Sequence, residues 1–309
     1  MSNFSQRSTP EREVDKEIVE PLRDQLSPAE GAIAMIAPYQ PEQISPTRSR
    51  FAEIALTEEL KMEDAILALK TEGVTDLHLM INSMGGGVSS SFKIAQALRR
   101  NFDSIKVYVP HMAVSGGTLI ALVGDEILMG EMSNLSPIDP QVTKNGKLFS
   151  VNSLPRMFDM LEQFFSDTAA RDAPYPWKAL ADQIDPIEFQ EHIDSASMMV
   201  NHARTILQSN DNLDEDEVEE IIQKLTSGYP THEYAITFPE AEDIFGEMLT
   251  HSSGSNLMMI MHRWLQAYVA DGSGDHHVRY CVGKSEGDGD ADGNDDNDDV
   301  AQEATDTED

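Results

Sequence analysis

Basic residues are scarce. The 309-residue chain carries 22 lysines and arginines against 55 aspartates and glutamates, a formal net charge of -33. Such a surface repels phosphate backbones and anionic headgroups, which argues against nucleic acid and anionic lipid as partners. Cysteine is nearly absent: Cys281 stands alone, so an intramolecular disulfide is excluded. Long apolar runs are missing as well. No stretch approaches the ~20 residues of a membrane-spanning helix, and the polar first thirty residues lack the apolar core of a signal peptide. These absences predict a cytoplasmic protein, and any association with a membrane or a partner protein would have to proceed without a spanning segment.

Hydrophobic content is 40%, ordinary for a globular chain and ample for one generous domain. The ends differ from the middle. Residues 1–29 are polar and proline-bearing and read as a flexible arm, and 30–270 hold the periodic segments of a folded domain. From 271 onward the chain is almost devoid of apolar side chains, which predicts a disordered acidic tail. Its Asp-rich run lacks the ligand spacing and closing Glu of a calcium loop, so no metal site and no cofactor are expected. Acidity outside the tail, with few lysines, fits a high-salt cytosol.

Within the middle, strands are expected at Gly31–Tyr39, Asp76–Asn82, Ile105–Pro110 and Glu126–Met129. Helices are expected from Thr57 (as N-cap) to Lys70, over Val88–Arg100, and over the uncharged run Ser115–Val123. Alternation of strand, turn and helix implies a mostly parallel sheet with crossover helices. The second half reads as helical over Leu154–Arg171, Pro186–Gln208 and Asp214–Thr226. A strand near Tyr234–Phe238 and a helix from Pro239 follow.

Two turns carry chemistry. In INSMGGG (Ile81 to Gly87) three glycines sit where a buried strand becomes a helix, permitting positive φ and close approach of backbone N–H groups to a ligand. In VPHMAVSGGTLIAL (Val109 to Leu122) Ser115 sits at a strand-to-helix turn followed by Gly-Gly. A serine nucleophile needs that setting, with an exposed hydroxyl and a free following N–H for an oxyanion. A serine there also serves as a plain helix N-cap, and the local residues do not choose between the two.

INSMGGGV followed by AVSGGTLIAL resembles the Clp-protease and signal-peptide-peptidase (SppA) superfamily. The fuller run from Val109 to Gln141 is similar to the serine dehydrogenase proteinase family in particular. SGYPTHEYAITFPEAEDIFG (Ser227 to Gly246) matches that family's threonine-histidine-acid element. The resemblance runs from about Gly31 to Leu249. It implies an α/β ClpP/crotonase-like spiral of β-β-α units with a mostly parallel sheet and long outer helices. It also implies a serine endopeptidase acting on polypeptide substrate, with Ser115 as nucleophile and Gly86 and Gly116 as oxyanion donors. Relatives of this fold assemble into rings, so a homo-oligomer is implied too.

The general base is the open question. SNLSPIDPQ, where Clp proteases carry their histidine, has Ile138 and Asp139 near that position and no histidine. Glu233 holds the spacing of the Clp acid to Pro239. Resemblance to SppA, which uses a serine–lysine dyad, points to Lys178, and a buried lysine of depressed pKa serves as a base. His232 is the other candidate; on a regular strand it and Glu233 face opposite ways. His111 is assigned a structural place beside the turn, Asp139 a loop-fixing or subunit-contact role, and KNGK (Lys144 to Lys147) an exposed hairpin. Two other readings stay open: a degenerate peptidase kept as a scaffold or adaptor, and a crotonase-type acyl-CoA enzyme using the same paired amides.

Overall fold

The computed structural model describes residues 13–38, 52–139, 141–144, 147–150, 159, 162–163, 186–229, 231–269 and 276–284. Its centre is a six-stranded sheet. β1 (Glu30–Ile36), β2 (Asp76–Asn82), β3 (Ser104–Val109) and β5 (Glu126–Met129) run parallel with β10 (Leu249–His251). β11 (His277–Val282) closes one edge antiparallel to β1, giving the order β10-β5-β3-β2-β1-β11. Parallel strands joined by helical crossovers are covered on both faces and so carry near-continuous apolar runs. β1 does so: Ile33 and Met35 enter one core, while Ala32, Ala34 and Ile36 enter the other.

The larger core lies beneath α2 (Leu56–Thr71), α3 (Val88–Asn101) and α4 (Gly116–Ala121). It extends to α5 (Pro186–Leu207), α6 (Glu215–Ser227) and α7 (Phe238–Phe245). α6 begins with a reciprocal cap. Asp214 accepts the Glu217 N–H at 2.9 Å, and Glu217 accepts that of Asp214 at 2.8 Å. Val218, Ile221, Ile222 and Leu225 then form its buried stripe. The opposite face of the sheet is covered by α1 (Glu13–Arg23) and α8 (Asn256–Val269), which bury Leu22, Met261, Trp264 and Tyr268.

Three expectations are corrected here. The arm assigned to 1–29 includes α1, because Ile18, Leu22 and Leu26 are buried, and each such side chain contributes about 1.5–3 kcal/mol. The tail assigned from 271 includes β11, whose Cys281 is buried against Ala32 of β1. α2 is capped two residues earlier than the sequence reading has it. Ala55 occupies the N-cap, and the Glu58 carboxylate accepts its N–H at 2.9 Å, with Thr57 inside the first turn. The expected helix over Leu154–Arg171 lies outside the described residues apart from Asp159, Glu162 and Gln163.

A second, small sheet has the order β4-β6-β9 and sets the site. β4 (Met112–Ala113) is parallel to β6 (Asn134–Leu135), which is antiparallel to β9 (Ile236–Thr237). Next in the chain, β7 (Gln141–Lys144) and β8 (Lys147–Ser150) pair antiparallel with Lys144 opposite Lys147, as a hairpin at KNGK requires.

Candidate active site

β4 delivers the chain directly into Ser115. Ser115 has φ 53° and ψ -114°, the one positive-φ residue other than glycine among the described residues. It occupies the N-cap position of α4 without making a side-chain cap bond. A cap serine uses its hydroxyl on the helix; this one leaves it uncommitted. Its backbone is fixed instead by a neighbour unseen in the sequence reading. The Ser115 N–H donates to Ser136 Oγ at 2.7 Å, and that hydroxyl donates on to the Pro137 carbonyl at 2.9 Å. Thr118 tightens the same corner, donating to Ala113 O at 2.7 Å and accepting the Ser136 N–H at 3.1 Å.

The glycine turn after β2 abuts this corner. Ser83 N–H donates to Met112 O at 3.0 Å, and Val114 N–H to Ser83 O at 2.9 Å. A Cβ on Gly85 would lie 2.5 Å from Val114 O and 2.9 Å from Ser115 Cβ, so only glycine lets the turns meet. The Gly85 carbonyl accepts the Ile54 N–H at 2.8 Å, and the Gly87 N–H donates to Ile54 O at 2.8 Å. Because the peptide unit is planar and trans, a Gly85 carbonyl held toward Ile54 turns the Gly86 N–H the opposite way. That places it on the Ser115 side, where the Gly86 nitrogen is 3.2 Å from the Cβ position of Gly116. Neither the Gly86 nor the Gly116 N–H donates a hydrogen bond among the described residues. Two free amides thus flank the serine turn, and such a pair stabilises negative charge developing on a carbonyl oxygen.

The small sheet brings a histidine and a carboxylate together beside this corner. Continuing the antiparallel register of β6 and β9 past Leu135 and Ile236 puts Asp139 opposite His232. Their side chains are joined, His232 Nδ1 to Asp139 Oδ1 at 3.0 Å. Asp139 is buried, and the His232 side chain is 12% exposed. The preceding Ile138 N–H is pinned by Leu225 O at the end of α6 at 3.0 Å. A carboxylate accepting Nδ1–H leaves Nε2 as the basic nitrogen.

Of the remaining candidates, Glu233 is exposed. His111 is exposed too, its carbonyl accepting the Asn134 N–H at 2.9 Å. Lys178 lies outside the described residues. Among the described residues no group of three or more His, Cys, Asp or Glu side chains is arranged to hold a metal ion, and no helix is long and apolar enough to cross a membrane.

Residues 48–155 match the ClpP-like SDH-type serine proteinase family, in line with the resemblance carried by the two glycine turns. Two uncharacterized proteins of Methanocaldococcus jannaschii are similar to this chain. One is 32% identical over 170 residues (54% of this chain, 51% of the relative), and the other 27% over 177 residues (57% and 52%). The chain therefore spans about half the length of the curated relatives it matches. Among solved structures, the 1510-N membrane-bound stomatin-specific protease is 13% identical with a TM-score of 0.42, over 64% of this chain and 75% of that one. ClpP1 from Listeria monocytogenes is 9% identical with a TM-score of 0.40, over 79% and 99%. The fold is of the expected class, a mixed α/β architecture around a mostly parallel sheet, and its residues 48–155 match a ClpP-like family. The family match supports a peptidase-type function.

Proposed function

We propose that this protein is a serine-type endopeptidase in which Ser115 is the nucleophile, Gly86 and Gly116 form the oxyanion hole and His232 is the general base. The observation that carries the reading is the strained turn of Ser115 beside two uncommitted backbone amides. Strain of this kind persists only where the surroundings over-determine it, and it keeps a hydroxyl at the tip of a sharp strand-to-helix corner.

In the proposed cycle Ser115 Oγ attacks the scissile carbonyl carbon as its proton passes to His232 Nε2. The carbonyl oxygen takes the negative charge and is held by the Gly86 and Gly116 N–H groups. Asp139 holds the imidazole in the Nδ1–H form and offsets its charge while it is protonated. Collapse of the tetrahedral species breaks the C–N bond, with the imidazolium proton leaving on the amine, and water then releases the acyl group by the same steps. The residue order is unlike the Clp pattern: the carboxylate sits on the loop after β6, and the histidine precedes β9. Lys178 is the rival base.

The test is labelling by a fluorophosphonate probe in high salt. Wild type should label, Ser115→Ala should not, and His232→Gln should slow labelling by about 100-fold or more. If Lys178→Met abolishes labelling while His232→Gln leaves it intact, the base assignment is wrong. Wild type that fails to label at any salt or pH would instead favour a non-catalytic scaffold.

A further inference from the structure

A second serine, histidine and acid lie under the glycine turn. Ser83 Oγ is 2.8 Å from His276 Nε2, and His276 Nδ1 faces Glu58 Oε1 at 3.6 Å. The spacing imitates a catalytic triad, but Ser83 is fully buried and its oxygen already accepts the Gly85 N–H at 3.0 Å. No substrate reaches it. Its product is a fixed backbone.

The three residues close a ring. Glu58 Oε1 accepts the His276 N–H at 3.2 Å, and Glu58 Oε2 accepts the Ala55 N–H at 2.9 Å. Ala55 follows Ile54, whose N–H holds the Gly85 carbonyl. The Gly85 N–H is held by Ser83, Ser83 by the His276 ring, and the His276 backbone N–H by Glu58. Both polar groups of Gly85 are therefore tied, from opposite sides, to one buried carboxylate at the start of α2. His276 Nδ1 is buried without a hydrogen bond, and the carboxylate 3.6 Å away favours a proton on it; in that tautomer Nε2 accepts the Ser83 hydroxyl proton and Ser83 Oγ keeps a lone pair for the Gly85 N–H. Burial alone would raise the Glu58 carboxyl, but bonds from His276 and Ala55 outweigh it and hold the pKa below its ordinary value, so the group is ionised at neutral pH.

We infer that Glu58, His276 and Ser83 are positioning residues that orient the Gly85–Gly86 peptide, and with it the Gly86 N–H offered to the oxyanion. The inference rests on the proposed role of Gly86 in peptide hydrolysis. Gly85 and Gly86 hold φ values of 89° and 153°, conformations that drift once their bonds are released. An oxyanion donor displaced by about 1 Å loses up to ~100-fold in rate.

The experiment compares full-length Ser83→Ala, His276→Leu and His276→Gln with wild type. Fluorophosphonate labelling rate, peptidase kcat and KM, and amide hydrogen exchange across Met84–Gly87 are measured for each. Ser83→Ala and His276→Leu should label about 10- to 100-fold more slowly, with kcat falling and KM nearly unchanged. His276→Gln should recover to within a few-fold, because its amide accepts from Ser83 and donates toward Glu58. Exchange at Gly85 and Gly86 should rise in the two slow variants while the β1–β3 amides stay protected. Variants that label at the wild-type rate with unchanged exchange overturn the clamp. Failure of wild type to label overturns the peptidase reading instead, and the exchange contrast still judges the clamp by itself.

Discussion

Ser115 is held at φ 53°, ψ -114°, a region where an L side chain meets its own backbone. A residue confined there costs about 1–3 kcal/mol. Glycine adopts the same angles without that contact, but it gives up roughly 0.5–1 kcal/mol more backbone entropy on folding. Ser115→Gly should therefore stabilise the fold by about 1 kcal/mol, while removing the proposed nucleophile. Ser115→Ala is the proper reference. It also removes the hydroxyl, which makes no hydrogen bond among the described residues, but it keeps the strain, so its stability should lie within about 0.5 kcal/mol of wild type. For a chain of this size 1 kcal/mol corresponds to about 2–4 °C in Tm. Scanning calorimetry at one fixed high salt concentration gives the ranking Ser115→Gly above Ser115→Ala, with neither labelled by the probe. A glycine variant no more stable than the alanine variant would show that the turn stores no strain, and would remove the main support for the nucleophile.

Further outcomes are expected elsewhere. A Cβ at Gly116 would lie 2.3 Å from Ser91 Oγ and 3.2 Å from the Gly86 nitrogen, so Gly116→Ala should slow labelling by at least about 100-fold. Adding Ser91→Ala should recover part of it, and no recovery would sink the steric account. Burial lowers the pKa of His78 below its ordinary value of 6.5, against the pull of Glu30. Its contribution to stability is thus present above pH ~6.5 and lost as pH falls through the lower folded value, so urea midpoints should drop between pH 7.5 and 5 and drop less in His78→Gln. Burial pushes the Cys281 thiol up to about 12, so iodoacetamide should modify it only as fast as the chain unfolds. With a net charge of -33, urea midpoints should rise steeply with KCl, and a flat response would refute the high-salt expectation.

Much of the site was legible because its requirements are local. A strand running into Gly-Gly-Gly and a strand running into Ser-Gly-Gly each specify a turn, and β2 and β5 match their expected bounds. The pairing of Asp139 with His232 was not legible, since it depends on the register of two-residue strands far apart in the chain. By its sequence Asp139 reads as a loop-fixing or subunit-contact residue, and nothing between PIDP and THE signals that the two face each other. His276 was missed for a different reason. It sits in a stretch whose composition reads as solvated, and β11 carries only a weak apolar alternation that an edge strand needs little of. In the sequence Glu58 has nothing to set it apart from any acid in a helix's first turn, where a carboxylate is favourable. Its burial at 2% exposure follows only from the strand that folds over it.

The bond between Ser83 and His276 spans 193 residues. During synthesis β1, β2, the Ser115 corner and the paired Asp139 and His232 are all made before His276 leaves the ribosome. At about 5–20 residues per second, roughly 10–40 s separate Ser83 from its partner. Throughout that interval Gly85 has its bonds to Ile54 and Ser83 but not the His276 link that joins Ser83 to Glu58. Under the proposed roles, a nascent chain would carry Ser115 before the clamp on the Gly86 amide is complete.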